Sequence, residues 1–525
     1  MKLTRQGHVV KRMAHRGLLL ALVCMGTNAE GWYATKTPYQ PQQDAASYEK
    51  APAGFAPMFT ELVARHGSRG LSSAKDDVML YALWQLAQSE GALTPLGQQL
   101  GPDLMAMMKA NALLGCGVAD ISKPGYGNLT VRGLREHRQL AERLLQRQGA
   151  LFAAALKDGR KLVVQTSGVD RAIDSSRSFT RSLAERLPAL QPLIVPAPAL
   201  TGYPADKAVA QPEGVNRFQL YFHRLKADTD LVTDNSDPNY AVYQDSLAIQ
   251  RYQKSAEAKD AVEASRKDPA LKAAARAVVV QLFSPEFVER IDSGKLSLSL
   301  GSFAFNSEDQ RCSGTAGSGG KRKVDDTLEV AQALYGLYQI APAFETTLEA
   351  AFSRYLQPEQ ARLLAAASDA EDFYLSGPST VASAKVTSRM ANGLLQDFFR
   401  EVDVVAQGKM DHAAKLRFAH AEIIMPFATR LGLAGVDAPV AEGQRYRYES
   451  NPWRGQTVSP MAANIQWDIW RNPQGQLLVK MLYNEKETAF KPACDSARQA
   501  QGSFFYDYSK LKACYADTLA ETVAR

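Results

Sequence analysis

The sequence predicts an α/β protein: a mixed, mainly parallel sheet flanked by helices, with a mostly helical cap inserted between strands. Three observations predict it. Short apolar runs at 58–64, 161–166 and 416–419 each end in a turn, and helical spacing follows. Helical signals dominate from the Pro-rich stretch 188–212 to residue 405. Residues 464–470 and 476–484 alternate around Asn472-Pro473-Gln474-Gly475, a hairpin signal that makes the sheet mixed rather than purely parallel. The 525 residues therefore divide into a leader at 1–29, a first core part at 30–190, a cap at 191–405 and a second core part at 406–525.

The leader carries Lys2, Arg5, Lys11, Arg12 and Arg16, then the apolar GLLLALVCMG and the small residues Thr27-Asn28-Ala29. This is the pattern of a secretory signal peptide cut after Ala29, too short for a membrane span. Ala21-Leu22-Val23 before Cys24 is a poor lipobox. The expected location is periplasmic or secreted, without stable membrane insertion. Losing the five basic residues of the leader takes Lys and Arg from 61 to 56, against 55 Asp and Glu. The formal charge of +6 therefore gives no argument for nucleic acid as a partner.

Cys116, Cys312, Cys494 and Cys514 remain, an even count that in an exported chain predicts disulfides. The short loop favours Cys494 with Cys514, which leaves Cys116 with Cys312. The spacings do not resemble a zinc site.

In chain order, 30–56 is a polar, Pro-containing lead-in. The run 58–64 lies between Pro57 and Gly67 and suits a strand covered on both faces, with a short helix as the alternative. Val78, Leu80, Leu83 and Leu86 mark a helix over 76–90, and Thr94 with Pro95 starts the next. Thr130 begins a helix whose apolar side is Leu134, Ala141, Leu144 and Leu145, which places His137 on the charged, surface side. KLVVQT at 161–166 is a strand. A turn follows it, then a helix face of Ile173, Ser176, Thr180, Leu183 and Leu187.

In the cap, His223 falls in the helical QLYFHRLK, as a packing or exposed residue. NSEDQRCSGTAGSGGKRK at 306–323 reads as a flexible loop. Its glycines lack the spacing of a phosphate loop, and no Ser or Thr follows Lys321, which argues against a nucleotide site. Lys75 and the Lys321-Arg322-Lys323 cluster read as solvated charge, with contact to a phosphate-bearing substrate as the alternative. A third strand, 416–419, reaches His420. Glu422 starts the following turn, 425–431 is a helix stopping at Gly432, and His412 precedes the strand, outside the site.

The chemistry gathers at strand ends. Arg65-His66-Gly67-Ser68-Arg69 packs an imidazole between two guanidinium forks, which match phosphate oxygens bidentately. A neutral imidazole there can attack phosphorus. Arg171 follows the second strand, and His420 with Glu422 follows the third. In open α/β sheets ligands bind beyond the carboxyl ends of strands, so three distant segments can share one pocket.

The RHGSR run resembles the RHGxR signature of the histidine acid phosphatases, a family that includes the histidine-type phytases. LRFAHAEIIMPF, with His420-Ala421-Glu422, resembles that family's second signature in the form found in multiple inositol polyphosphate phosphatases. LTVRG (129–133), TSGVDRAIDSSRSF (166–179), DFYLSGPS (372–379), LLQDFFREVD (394–403) and LYNEKETAFKPAC (482–494) are also similar, in order, so the resemblance runs from 55 to 494. Gly70-Leu71 departs from the aromatic-Pro pair that follows RHGxR in many relatives.

The resemblance implies a six-stranded α/β core with a helical cap. It implies hydrolysis of phosphate monoesters without metal or cofactor, on myo-inositol hexakisphosphate and other inositol polyphosphates. Arg65, Arg69, Arg171 and His420 would hold the phosphoryl group. His66 would attack it, giving a phosphohistidine, and Glu422 would protonate the leaving alcohol. That last role asks Glu422 to carry a proton, which acidic to near-neutral pH or a raised pKa provides. The alternatives are a general acid phosphatase for small sugar phosphates and an exported phosphate-binding protein without turnover.

Overall fold

A ten-residue strand, β1 (Ala56–Arg65), runs through the middle of the main sheet, and every residue from Phe59 to Arg65 is buried. Burial on both faces explains its unbroken apolar run and decides strand over helix. The structure is a computed structural model and describes residues 31–198, 211–344 and 346–521. The expected signal peptide, 1–29, lies outside the described residues.

The second expected strand is β2 (Lys161–Thr166). It pairs with β3 (Ile194–Pro196), a three-residue strand inside the stretch that the sequence marks only as a Pro-rich break. Two small hairpins follow. β4 (Leu296–Leu300) pairs with β7 (Gly320–Val324), and β5 (Phe303–Asn306) pairs with β6 (Ser313–Ala316). Half of the expected flexible loop at 306–323 is thus in paired strands. Its strand signal is the LSLSL alternation at 296–300, whose partner is the basic run Lys321–Lys323.

β8 (His412–Ala419) begins at His412, which is therefore the first residue of the strand rather than a residue before it. β9 (Asn464–Arg471) and β10 (Leu477–Tyr483) form the expected hairpin, extended by β11 (Lys486–Glu487) and β12 (Phe505–Asp507). The order is β11-β10-β9-β1-β8-β2-β3, with β12 also on β10. β1, β8, β2 and β3 run parallel, and the arm from β9 outward is antiparallel. The sheet has eight strands rather than the six the resemblance implies.

Helices cover both faces. Leu140 and Leu144 of helix Val131–Arg147, with Phe179 and Leu183 of helix Asp170–Arg186, pack on Leu62, Leu162, Leu416 and Phe418. On the other face, Phe398 of helix Asn392–Ala406 and Phe427 of helix Ala421–Leu431 pack near Trp467. Gly432 closes the latter helix at φ +70°, a left-handed cap. Among the described residues no helix is long and apolar enough to cross a membrane.

A buried ion cluster sits between β1, β8 and helix Asn392–Ala406. Arg417 reaches Glu61 at 3.0 Å and Asp397 at 2.5 Å, and Lys415 reaches Glu401 at 2.7 Å. His412 completes it, with Nε2 2.8 Å from Glu401. Both expected disulfides are present. Cys116–Cys312 joins the segment after helix Pro95–Ala112 to the β5–β6 hairpin, and Cys494–Cys514 has a Cα separation of 5.6 Å.

Candidate active site

The parallel register pairs Arg65 with Ala419 across β1 and β8, and Thr166 with Phe418 across β2 and β8. Three strands therefore end side by side. Backbone bonds carry this alignment past the strand ends, from His66 N to Ala419 O at 3.0 Å and from Ser167 N to Phe418 O at 3.1 Å. Arg65, His66, Arg69, Arg171, His420 and Glu422 come together as the sequence expects.

His66 is 3 % exposed. Its Nδ1 lies 3.0 Å from the Gly67 carbonyl. A carbonyl only accepts, so Nδ1 carries the proton and Nε2 keeps a free lone pair. Burial holds the imidazole well below its ordinary pKa, and Arg171, Arg65, Arg69 and His420 add to the effect. The ring is thus a neutral base with one available nitrogen.

The arginines are held by backbone. Arg65 is 1 % exposed, and its Nη1 donates to the carbonyls of Thr35, Ser459 and Pro460. Arg69 donates to the carbonyl of Gly70 at 2.7 Å. The Nε atoms of Arg65, Arg69 and Arg171 are buried without a hydrogen-bond partner among the described residues. Burial lowers all three, Arg65 to about 10 and Arg69 to about 9; repulsion from Arg171 adds to the effect on Arg65 and Arg69, and Glu422 opposes it at each. An anion would relieve that repulsion.

Helix Asp170–Arg186 is stitched to the loop after β1 through Ser175, whose Oγ accepts from Gly67 N at 3.2 Å and donates to Arg171 O at 2.8 Å. Helix Val131–Arg147 grips the loop from the other side. Glu136 accepts from Ser68 N and Ser68 Oγ, both at 2.7 Å. A Cβ on Gly67 would stand 2.3 Å from the Gly133 carbonyl, so the two backbones meet where no side chain fits. His137, expected at the surface, is fully buried, with Nε2 3.1 Å from the Arg65 carbonyl. The charged residues beside it in sequence hid its inward direction.

His420 caps helix Ala421–Leu431, with Nε2 2.8 Å from Ser167 Oγ and its ring 5.5 Å from the ring of His66. Glu422 lies in the first turn of that helix, which begins at Ala421 rather than 425. Burial alone would raise the Glu422 carboxyl. His223, His420, a backbone hydrogen bond and Arg65 outweigh it and hold the group well below the usual carboxylate range. The sequence asks this residue to carry a proton, and the free site keeps it ionised.

Sequence reasoning missed four further groups. Lys36, from the lead-in, has its amine brought down to about 7 by burial and by Arg65 and Arg69, with Asp372 and Glu422 opposing. Asp372 lies in the DFYLSGPS segment and accepts from Thr35 Oγ1 at 3.1 Å. Tyr221 and His223 reach His420 from the cap, with ring separations of 5.4 Å and 5.8 Å. Only DFYLSGPS carries a signal, as one of the segments in the resemblance. Lys75, Lys321 and Lys323 are exposed, and Arg322 pairs with Glu329 at 2.7 Å. His412 is tied to Glu401, away from the pocket.

The family model of the histidine phosphatase superfamily (branch 2) matches residues 58–484. The multiple inositol polyphosphate phosphatase of Bifidobacterium longum, solved in complex with inositol hexasulfate, is 31% identical. It superposes with a TM-score of 0.78, over 94% of this chain and 99% of that one. Its complex with phosphate aligns at 29% identity, TM-score 0.78 and the same coverage. The phytase from D. castellii shares the fold at 13% identity and TM-score 0.54, over 94% of this chain and 85% of that one. No curated protein matches the chain.

Proposed function

Since the chain belongs to the histidine phosphatase superfamily (branch 2) and is a phosphoric monoester hydrolase, we propose that it removes phosphate from myo-inositol hexakisphosphate and other inositol polyphosphates. The observation that carries the reading is the neutral His66 imidazole, its Nε2 unprotonated, ringed by Arg65, Arg69, Arg171 and His420 at three adjacent strand ends. The Bifidobacterium longum relative, solved with inositol hexasulfate, supports the substrate class.

A phosphate dianion bound by the three guanidinium groups and His420 supplies the charge that these cations lack. His66 Nε2 attacks phosphorus in line, and the ester oxygen leaves as the phosphorus–nitrogen bond forms. Glu422 gives that oxygen a proton. The free site holds Glu422 ionised, and the incoming dianion offsets the cations that hold it so. The carboxyl therefore becomes an acid when substrate arrives. Water then attacks the phosphohistidine, with Glu422 as base. The four cationic and hydrogen-bonding groups supply charge stabilisation without a metal. Lys36, which feels the charges of Arg65 and Arg69, is a further cation for a neighbouring phosphate of a polyphosphorylated ring.

The leader pattern in the sequence and the two disulfides support an exported protein, periplasmic or secreted. The experiment is phosphate release from inositol hexakisphosphate and from p-nitrophenyl phosphate, with EDTA present, by wild type and His66→Ala. EDTA-resistant release that prefers the inositol substrate and disappears in the variant is expected. Preference for the small ester makes the protein a general acid phosphatase. No release by folded wild type overturns the mechanism.

A further inference from the structure

The short turn Phe222–Arg224 packs against helix Ala421–Leu431 and carries His223 to the pocket wall, a position no motif marks. The His223 ring lies 5.8 Å from that of His420 and 4.7 Å from that of Tyr221. Tyr221 is fixed in turn by the Arg217 guanidinium, 4.6 Å over its ring, and Asp230 holds Arg217 at 2.6 Å. His223 is 5 % exposed, and its Nδ1 is buried without a hydrogen-bond partner among the described residues. His223 and Glu422 are each other's strongest Coulombic partner. A buried imidazole with an unpaired nitrogen, packed against the helix whose first turn carries Glu422, is built to carry a proton.

Resting on the function proposed above, we propose that His223 is the proton-transfer partner of Glu422, loading the carboxylate with the proton that the leaving alcohol takes. The groups facing His223 are Glu422 and His420 from helix Ala421–Leu431 and its cap, Arg171 from helix Asp170–Arg186, and Tyr221, Arg217 and Arg224 from its own segment. Burial brings His223 down to about 4, Arg224, Arg171 and Arg217 act in the same direction, and Glu422 opposes them. An entering dianion favours protonation, so a solvent proton binds His223 and passes to Glu422.

When the bond from His66 to phosphorus forms, the bond from phosphorus to the ester oxygen breaks. That oxygen keeps the electron pair and takes the Glu422 proton. Water then bonds to phosphorus, the phosphorus–nitrogen pair returns to His66, and the proton of water goes to Glu422. As inorganic phosphate leaves, the proton taken up at loading returns to solvent through His223.

The test compares two leaving groups. p-Nitrophenolate departs without a proton, and the alkoxide of glycerol 2-phosphate needs one. His223→Gln and Glu422→Gln are assayed on both esters from about pH 4 to 8. In His223→Gln, kcat on glycerol 2-phosphate is expected to fall at least about tenfold further than on p-nitrophenyl phosphate, with a displaced acid limb of kcat/KM. Glu422→Gln shows the same bias, more strongly. Equal losses in His223→Gln beside biased losses in Glu422→Gln overturn the proposal and leave Glu422 as the acid, His223 then serving only to pack His420. Equal losses in both variants overturn the acid role of Glu422 as well. His223→Asn gives the same readout if the Gln variant does not fold.

Discussion

His137 Nε2 lies 3.1 Å from the carbonyl oxygen of Arg65, on the chain bond that leads into His66. The carbonyl accepts, so Nε2 carries the hydrogen, and burial keeps the imidazole neutral. The arginine proposed to bind phosphate and the imidazole proposed to attack it are thus joined by a peptide that a second, buried histidine steadies from behind.

The burial of His137, which outweighs the opposing effect of that hydrogen bond, gives a pH prediction. Burial brings His137 from its ordinary 6.5 to about 3. A depressed histidine stabilises the fold above its unfolded pKa. The contribution is lost as pH falls from 6.5 towards 3, by up to about 1.4 kcal/mol per pH unit. His137→Gln is expected to show a shallower fall in urea midpoint between about pH 6.5 and 4 than wild type. At neutral pH, His137→Leu leaves the Arg65 carbonyl unpaired and costs about 1–3 kcal/mol.

Arg65→Lys separates charge from geometry. A lysine ammonium keeps the charge but cannot bond three carbonyls and also face a phosphate. A fall in kcat/KM of about 100- to 1000-fold is expected, as for the loss of one preorganised donor. A lowered thermal midpoint accompanies it. Unchanged kinetics show that Arg65 acts only through its charge.

Glu61 titrates in the opposite sense to His137. Burial pushes it up to about 8, with Arg417 opposing. Protonated, it leaves Arg417 and Lys415 balanced by Asp397 and Glu401. A raised carboxyl contributes stability at low pH, and that contribution is lost as pH rises from the ordinary 4.5 through 8. Glu61→Gln removes the titration. It is expected to lose less stability than wild type between about pH 5 and 8.5, read from urea midpoints.

The two disulfides differ in reach, with sequence separations of 196 and 20. Chain-entropy arguments give about 5 kcal/mol for the longer loop and about 3 kcal/mol for the shorter. Cys312→Ser is therefore expected to lower the urea midpoint more than Cys514→Ser, with each partner cysteine also replaced.

Much of this was legible in the sequence because it is local. β1, β2, β8 and the β9–β10 hairpin announce themselves through apolar runs and turn residues, and the RHGSR and HAE motifs lie where those strands stop. What escaped depends on tertiary contact. β3 is only three residues long and sits among prolines, and β7 is a basic run that becomes a strand only through the alternating β4 opposite it. His137 sits among charged neighbours on a helix whose buried face is wider than its apolar stripe. Lys36 and His223 enter the pocket from segments with no motif. The ionised state of Glu422 belongs to no residue type. It follows from the cations and imidazoles that folding gathers around it.

The three carbonyls on Arg65 come from Thr35, Ser459 and Pro460, the last two 394 and 395 positions away along the chain. A nascent chain complete through helix Ala421–Leu431 already contains both signature motifs. It does not yet contain two of the three groups that orient the first arginine. Assembly of a working pocket therefore waits for the final quarter of the polypeptide, and long-range closures of this kind are slow to form. The order of the amino acids thus serves as the timer of the pocket's assembly.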